Sequence, residues 1–240
     1  MIILRCYIPS SHIDGAIESL MRADANLSPA TYGSNESRAG TAGKVGSSTA
    51  FSEFRRANPR GFFLFARSCR YDVTIREGEE YSIIMAEPDS GVFGITDVLS
   101  ILSALCSSTS FAFACSLQEY HHRNRYSVQI GVNQVDAWVG RDLSKYLPGM
   151  YWITAFGAET ARRIGGLPCD SVLPVEVHAL GAELTALVLY PDPTDWEASA
   201  EHVDRFCRDH TAFFSLPAVM PILKGASSFI ELTGTLGQWR

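Results

Sequence analysis

Tyr151-Trp152-Ile153-Thr154-Ala155-Phe156 decides the reading of the fold, together with the segments just downstream of it. The six residues form an apolar, aromatic and β-branched run of strand length. Ala158, Ala161 and Ile164 then fall on one helical face, and Gly165-Gly166 before Pro168 stops that helix. Val175 to Leu180 and Glu183 to Tyr190 read as a hairpin across Gly181-Ala182. Thr194-Asp195-Trp196-Glu197 reads as a capping box. Behind it Trp196, Ala200, Val203, Cys207 and His210 step by four and three, the stripe of an amphipathic helix.

The opening of the chain has the same rhythm. Ile2 to Ile8 reads as a strand, and Ser11-His12-Ile13-Asp14 starts a helix carrying Ile13, Ala16, Ile17, Leu20 and Met21. Gly61 to Arg67, Tyr71 to Arg76 and Tyr81 to Ala86 come next as strands, the last two as a hairpin over Glu77-Gly78-Glu79. Thr96 caps a helix through Cys106, built on Val98, Leu99, Ile101, Leu102 and Leu105. Between the two ends lie the strand Phe111 to Cys115 and two further strand-like runs, Tyr126 to Ile130 and Val132 to Val139.

Both ends therefore read β-α-β-β-α, with an extra strand in the first. The expected fold is α+β: two pseudo-repeated, ferredoxin-like units, each a small antiparallel sheet with helices on one face. The expected organisation is a single domain over 1–240, with halves of about 1–110 and 111–240. Residues 28–50 are mostly Gly, Ser, Thr, Ala and Asn with almost no apolar residues, and are expected to form a flexible loop.

Composition narrows the class. The 240 residues are 46% hydrophobic and 19% charged, enough apolar mass for a substantial core. No run approaches the roughly 20 apolar residues that span a bilayer. Met1 to Pro9 enters an apolar stretch with no basic leader, which reads as a first strand and not as a secretory signal. Cys6, Cys69, Cys106, Cys115, Cys169 and Cys207 form no C-x-x-C pair, and reduced, mostly buried thiols are expected. The expected compartment is the cytoplasm. From Leu167 onward ten acidic residues face only Arg205, Arg208, Lys224 and Arg240, so this third carries the whole net charge of −6. Such a face disfavours nucleic acid and attracts a basic partner, and it equally serves as a solvated helix surface.

Several motifs invite a chemical reading. Gly40-Thr41-Ala42-Gly43-Lys44 fails as a phosphate-binding loop, because Arg38 stands where a glycine is needed and Val45 where Ser or Thr is needed. Glu119-Tyr120-His121-His122-Arg123-Asn124-Arg125 is the densest polar cluster. It reads as a polar turn or recognition loop, with acid–base or metal chemistry as the sharper alternative. Cys115 closes an apolar run and reads as a core thiol. Arg55, Arg56, Arg60, Arg67 and Arg70 interleave with Phe62, Phe63 and Phe65, a pattern that suits RNA, yet the pI is about 5.5. No cofactor and no metal are expected.

The most distinctive stretch runs Trp138-Val139-Gly140-Arg141-Asp142-Leu143 and Lys145-Tyr146-Leu147-Pro148-Gly149-Met150-Tyr151-Trp152. Pro148-Gly149 supplies a tight turn, and Arg141 beside Asp142 offers an ion pair. The Tyr, Trp and Arg side chains suit an interface hot spot, or equally a corner packed with aromatics. Across Asp136 to Phe214, the Pro-Gly turn, Tyr-Trp strand start, Gly-Gly helix stop, hairpin and last helix resemble bacterial polymorphic-toxin immunity proteins. The likeness is to immunity protein 52 and its type VI secretion-associated relatives.

That resemblance implies a cytoplasmic protein that binds a cognate toxin and neutralises it by occlusion, with no catalytic residues. The residues expected to meet the partner are Tyr120, His121, His122, Arg123, Arg141, Tyr146, Tyr151, Trp152, Asp195, Glu197, Glu201 and Asp204. A homodimer is compatible with this, while a membrane or nucleic-acid partner is not expected. The alternative function is a small hydrolase using Glu119, His121, His122 and Cys115.

Overall fold

The computed structural model describes residues 1–38, 41–45, 48–76, 78–89, 92–130, 133–138, 143, 147–169, 174–210, 214, 225, 227–228 and 230–231. In chain order the elements begin with β1 (Ile2–Pro9), α1 (Ile13–Met21), β2 (Thr31–Gly33), β3 (Thr41–Lys44) and α2 (Ser48–Ala57). Next come β4 (Gly61–Phe65), β5 (Cys69–Thr74), β6 (Tyr81–Pro88), α3 (Ile95–Ala104) and β7 (Phe111–Ser116). They continue with α4 (Leu117–Asn124), β8 (Arg125–Ile130), β9 (Asn133–Trp138) and β10 (Ile153–Gly157). The last are α5 (Ala158–Arg163), β11 (Glu176–Leu180), β12 (Leu184–Val188) and α6 (Trp196–Asp209). None of these helices is long and apolar enough to cross a membrane.

The chain forms two compact units. Met1–Cys115 and Ile153–Leu189 make the first; Ser116–Trp152 and Tyr190–Arg240 make the second. The first unit is built on one ten-stranded sheet in the order β11-β12-β10-β7-β1-β6-β5-β4-β2-β3. Every strand pair whose register is described in it is antiparallel.

Burial along each strand reflects its place in that order. β7 and β10 are buried at every position, which explains why their sequences, Phe111-Ala112-Phe113-Ala114-Cys115 and Ile153-Thr154-Ala155-Phe156, show no polar alternation. β5 and β6 alternate between buried and half-buried. Register places Cys6 beside Ile84, Ile84 beside Val73 and Val73 beside Phe62, so one face of the sheet carries an unbroken apolar row. Helices supply the other wall of the core: α1 buries Ile13, Ala16, Ile17 and Leu20 and packs on α3 and β1, while α3 buries Val98, Ile101 and Leu102. Each large side chain withdrawn from water contributes about 1.5–3 kcal/mol before ordering costs. α5 ends where expected, at Gly165 and Gly166, whose φ of +82° and +125° suit only glycine.

Two expectations give way here. The strands do not form two small sheets, since both ends of the chain contribute to the same one. The stretch 28–50 is not a loop throughout, because it holds β2, β3 and the start of α2. β2 pairs with β4, and Tyr32 on β2 is buried with its ring 5.0 Å from Phe51 and 4.6 Å from Phe54, both on α2. One aromatic, backbone hydrogen bonds and the polar contacts of Arg38 with Ala66, Cys69 and Asp89 order this stretch, so its composition gave no apolar periodicity to read.

The second unit holds α4, the β8–β9 hairpin and α6. An isolated parallel bridge joins Leu147 to Phe214. Among the described residues its buried apolar ones are Leu143, Leu147, Met150, Tyr151, Trp152, Tyr190, Val203, Phe206, Cys207 and Phe214.

Candidate functional site

The polar cluster at 119–125 is largely helical. Ser116 Oγ accepts the Glu119 N–H at 3.1 Å and so caps the start of α4. On that helix Glu119 and Arg123 are one turn apart and face the same side. Both are buried, with Glu119 at 0% and Arg123 at 5% exposure. Arg123 Nε donates to Glu119 Oε1 at 2.9 Å, and Arg123 Nη1 donates to Asp204 Oδ1 on α6. The other oxygen of Asp204 lies 3.0 Å from His122 Nε2, and the His122 ring stands 5.2 Å from that of Trp196.

The remaining Glu119 oxygen, Oε2, accepts the Trp152 backbone N–H at 3.4 Å. The Tyr190 hydroxyl also bears on this carboxylate. Trp152 is fixed in turn by its indole N–H, which donates to the Tyr190 carbonyl at 3.0 Å. Burial pushes the Glu119 carboxyl above the ordinary carboxylate range, against the pull of the Arg123 guanidinium and of the donors around it. Burial also opposes the Arg123 charge, but Glu119 and Asp204 more than offset it and hold the guanidinium protonated. The buried Cys207 thiol beside Arg123 is pushed up by burial to about 11.

Chemically this is a buried ion cluster, in which Arg123 Nη2 alone of the guanidinium nitrogens has no hydrogen-bond partner among the described residues. Both Glu119 oxygens are engaged, and the guanidinium links a fully buried carboxylate to a half-exposed one. Such an arrangement locks α4 to α6 and fixes the orientation of α6, whose outer face carries Glu197 and Glu201, with Asp195 just before it. Those three are exposed, and the Glu201 side chain is 83% exposed in its pair with Arg205.

The expected partner-binding residues divide accordingly. Asp195, Glu197, Glu201, His121 and His122 lie at the surface, and Tyr120 and Asp204 are half-buried. Arg123, Tyr151 and Trp152 are core residues, the last two at 0% and 1% exposure, so the protein does not present them. Arg141 and Tyr146 lie outside the described residues. Sequence reasoning singled out Glu119 and Arg123 but not their joint role. The i, i+4 spacing of an acid and a base was the available signal, and it carries weight only once the stretch is read as a helix.

The other motifs take structural roles. Thr41–Lys44 is an edge strand, not a phosphate loop. Cys115 is wholly buried within β7. All six cysteines are described, and no disulfide joins any of them. In the basic stretch, Arg70 pairs with Glu87 and lies over Phe63, while Phe62 and Phe65 are buried. Among the described residues no group of three or more His, Cys, Asp or Glu is placed to hold a metal ion. The first unit carries an open cleft of about 970 Å³ between α1 and α2, floored by Ile13, Ile17 and Phe51 and rimmed by Asp14, Glu18, Arg55, Arg56 and Arg76. Arg55 is engaged by Asp14 and Arg76 by Glu79, so its rim is a mixed surface with no single sign of charge.

No family model matches the chain, and neither a curated protein nor a solved structure matches it.

Proposed function

We propose that the protein is an immunity protein that binds a cognate bacterial toxin and neutralises it by occlusion in the cytoplasm of the producing cell. The observation that carries this reading is the buried Glu119–Arg123–Asp204 cluster, which holds an acidic helix in a fixed orientation. A preorganised surface loses little freedom when it meets a partner. Carboxylates at Asp195, Glu197 and Glu201 would steer a basic toxin face toward it. The resemblance of Asp136 to Phe214 to immunity proteins associated with type VI secretion supports the same reading.

We also read the fold as two ferredoxin-like halves that share β7. Outward from β7 the sheet runs β1, β6, β5 on one side and β10, β12, β11 on the other. The segments β1-α1-β5-β6 and β10-α5-β11-β12 would then be copies, with β2, β3, α2 and β4 inserted into the first. Superposition of the two segments in an experimental structure is the check.

The function is tested by co-expressing the chain with each candidate toxin domain encoded beside its gene. Restored growth and a stable complex are expected with one of them. The variant Glu197→Lys with Glu201→Lys should slow association on the order of tenfold at low salt and less at high salt. If every one of them kills equally with and without the chain, and none binds it, the proposal is removed.

A further inference from the structure

We propose that β11 is a self-association edge, at which a second copy of this chain pairs antiparallel about a two-fold axis through Val177. β11 ends the ten-stranded sheet, and among the described residues only β12 pairs with it. Val177 and Ala179 make one exposed row along β11, Val177 being 57% exposed, and Val175, in the bend just before the strand, is 50% exposed. These valines stand out, since exposed large apolar side chains are few among the described residues. A strand edge of this kind offers unpaired N–H and C=O groups as a template, and proteins usually guard it with lysine, proline or a bulge. The opposite edge, β3, is four residues long and carries Lys44. β11 carries neither lysine nor proline within its length, its one formal charge being Glu176 at its first position.

The occupant is set by the carboxylate and imidazole along the strand. On the other side of the strand Glu176 and His178 sit two residues apart, with His178 Nε2 at 2.9 Å from Glu176 Oε2. Antiparallel pairing centred on Val177 sets Val177 opposite its own copy and Val175 opposite Ala179. It also sets each Glu176 opposite a His178. Moving the centre one residue either way sets Glu176 opposite Glu176, or His178 opposite His178. Only the Val177 register sets each carboxylate against an imidazole, a hydrogen-bonding pair that carries opposite charges when the imidazole is protonated, while keeping the valine and alanine side chains together. The contact is isologous, as a two-fold dimer requires. A short edge pairing buries little area, so the dimer is weak and concentration-dependent. This inference does not depend on the proposed function.

Sedimentation of the full chain from about 5 to 500 μM tests it, over a range suited to a weak interface. A monomer–dimer equilibrium is expected. Val177→Lys, at an exposed position, should leave the thermal melt unchanged and weaken the dimer at least tenfold by placing like charges on the axis. Glu176→His alone should weaken it, and Glu176→His with His178→Glu should restore it. In a Cys169→Ser background, Val177→Cys should form a covalent dimer on oxidation and Val175→Cys should not, because only residue 177 meets itself at disulfide distance. A chain that stays monomeric throughout overturns the proposal. So does a dimer indifferent to Val177→Lys, or a double swap that dissociates as fully as the single change. If Val177→Lys disturbs only binding to another protein, the edge belongs to that partner and the second-copy assignment fails.

Discussion

Arg123 Nε lies 2.9 Å from Glu119 Oε1, and both side chains are withdrawn from water. Neither charge would be stable there alone, because an unpaired buried ion loses its hydration without a partner. Arg123→Met should therefore destabilise the protein by about 3–5 kcal/mol, leaving Glu119 uncompensated. Adding Glu119→Leu should recover much of that loss. The measurement is a double-mutant cycle by urea denaturation; additive costs would mean the two residues do not act as a pair.

Acidity tests the same carboxyl. The Glu119 group, ordinarily near 4.5, is raised by burial, so the folded protein holds this proton to higher pH than the unfolded chain does. Stability from this group is then greatest below the ordinary value and falls as pH rises through the folded value. The advantage of the parent protein over Glu119→Gln should shrink as pH rises above the ordinary carboxylate value of 4.5. Urea midpoints taken above that value read it directly, and an advantage that grows with pH would reverse the assignment.

Thiol reactivity should track burial. Cys169 is exposed and Cys106 half-buried, whereas Cys6, Cys69, Cys115 and Cys207 are buried. Burial raises the Cys6 and Cys69 thiols, and raises Cys207 to about 11, so little thiolate forms near neutrality. Iodoacetamide on the native protein should label Cys169 first and Cys106 next, the other four reacting only in denaturant. Peptide mass spectrometry assigns the sites; rapid native labelling of Cys6 or Cys115 would contradict the packing.

Two glycines should respond to alanine with opposite signs. A Cβ on Gly157 would lie 2.7 Å from the Thr109 carbonyl oxygen and 3.0 Å from that of Ser110, while Gly157 N–H donates to Ser110 at 2.9 Å. Gly157→Ala should cost about 1–3 kcal/mol, because backbone must move. Gly15, inside α1, has nothing within 4 Å of its Cβ position, and Gly15→Ala should stabilise by about 0.5–1 kcal/mol. Thermal melts of the two variants decide the matter.

The parts of the fold legible in the sequence are those where apolar periodicity was strong. The β5–β6 hairpin, the helix with Val98, Ile101 and Leu102, and the α6 stripe were all readable. α4 was not, because its buried face is Glu119 and Arg123, and a core made of charge leaves no hydrophobic trace. The candidate site was half visible for the same reason: the polar cluster stood out, but Asp204 joins it from a different stretch of chain. Tyr151 and Trp152 were ambiguous between surface and core, since aromatics serve both, and only packing separates the two.

β7 and β10 are sheet neighbours, yet the chain leaves the first unit at Ser116 and returns at Ile153. During synthesis the half-sheet from β7 to β3 can assemble while β10, β11 and β12 are still to be made. Until they emerge, β7, with its run of phenylalanine and alanine, stands as a raw margin. The nascent chain is therefore at its stickiest midway through translation, and a pause or truncation between Ser116 and Ile153 would leave a species prone to aggregate.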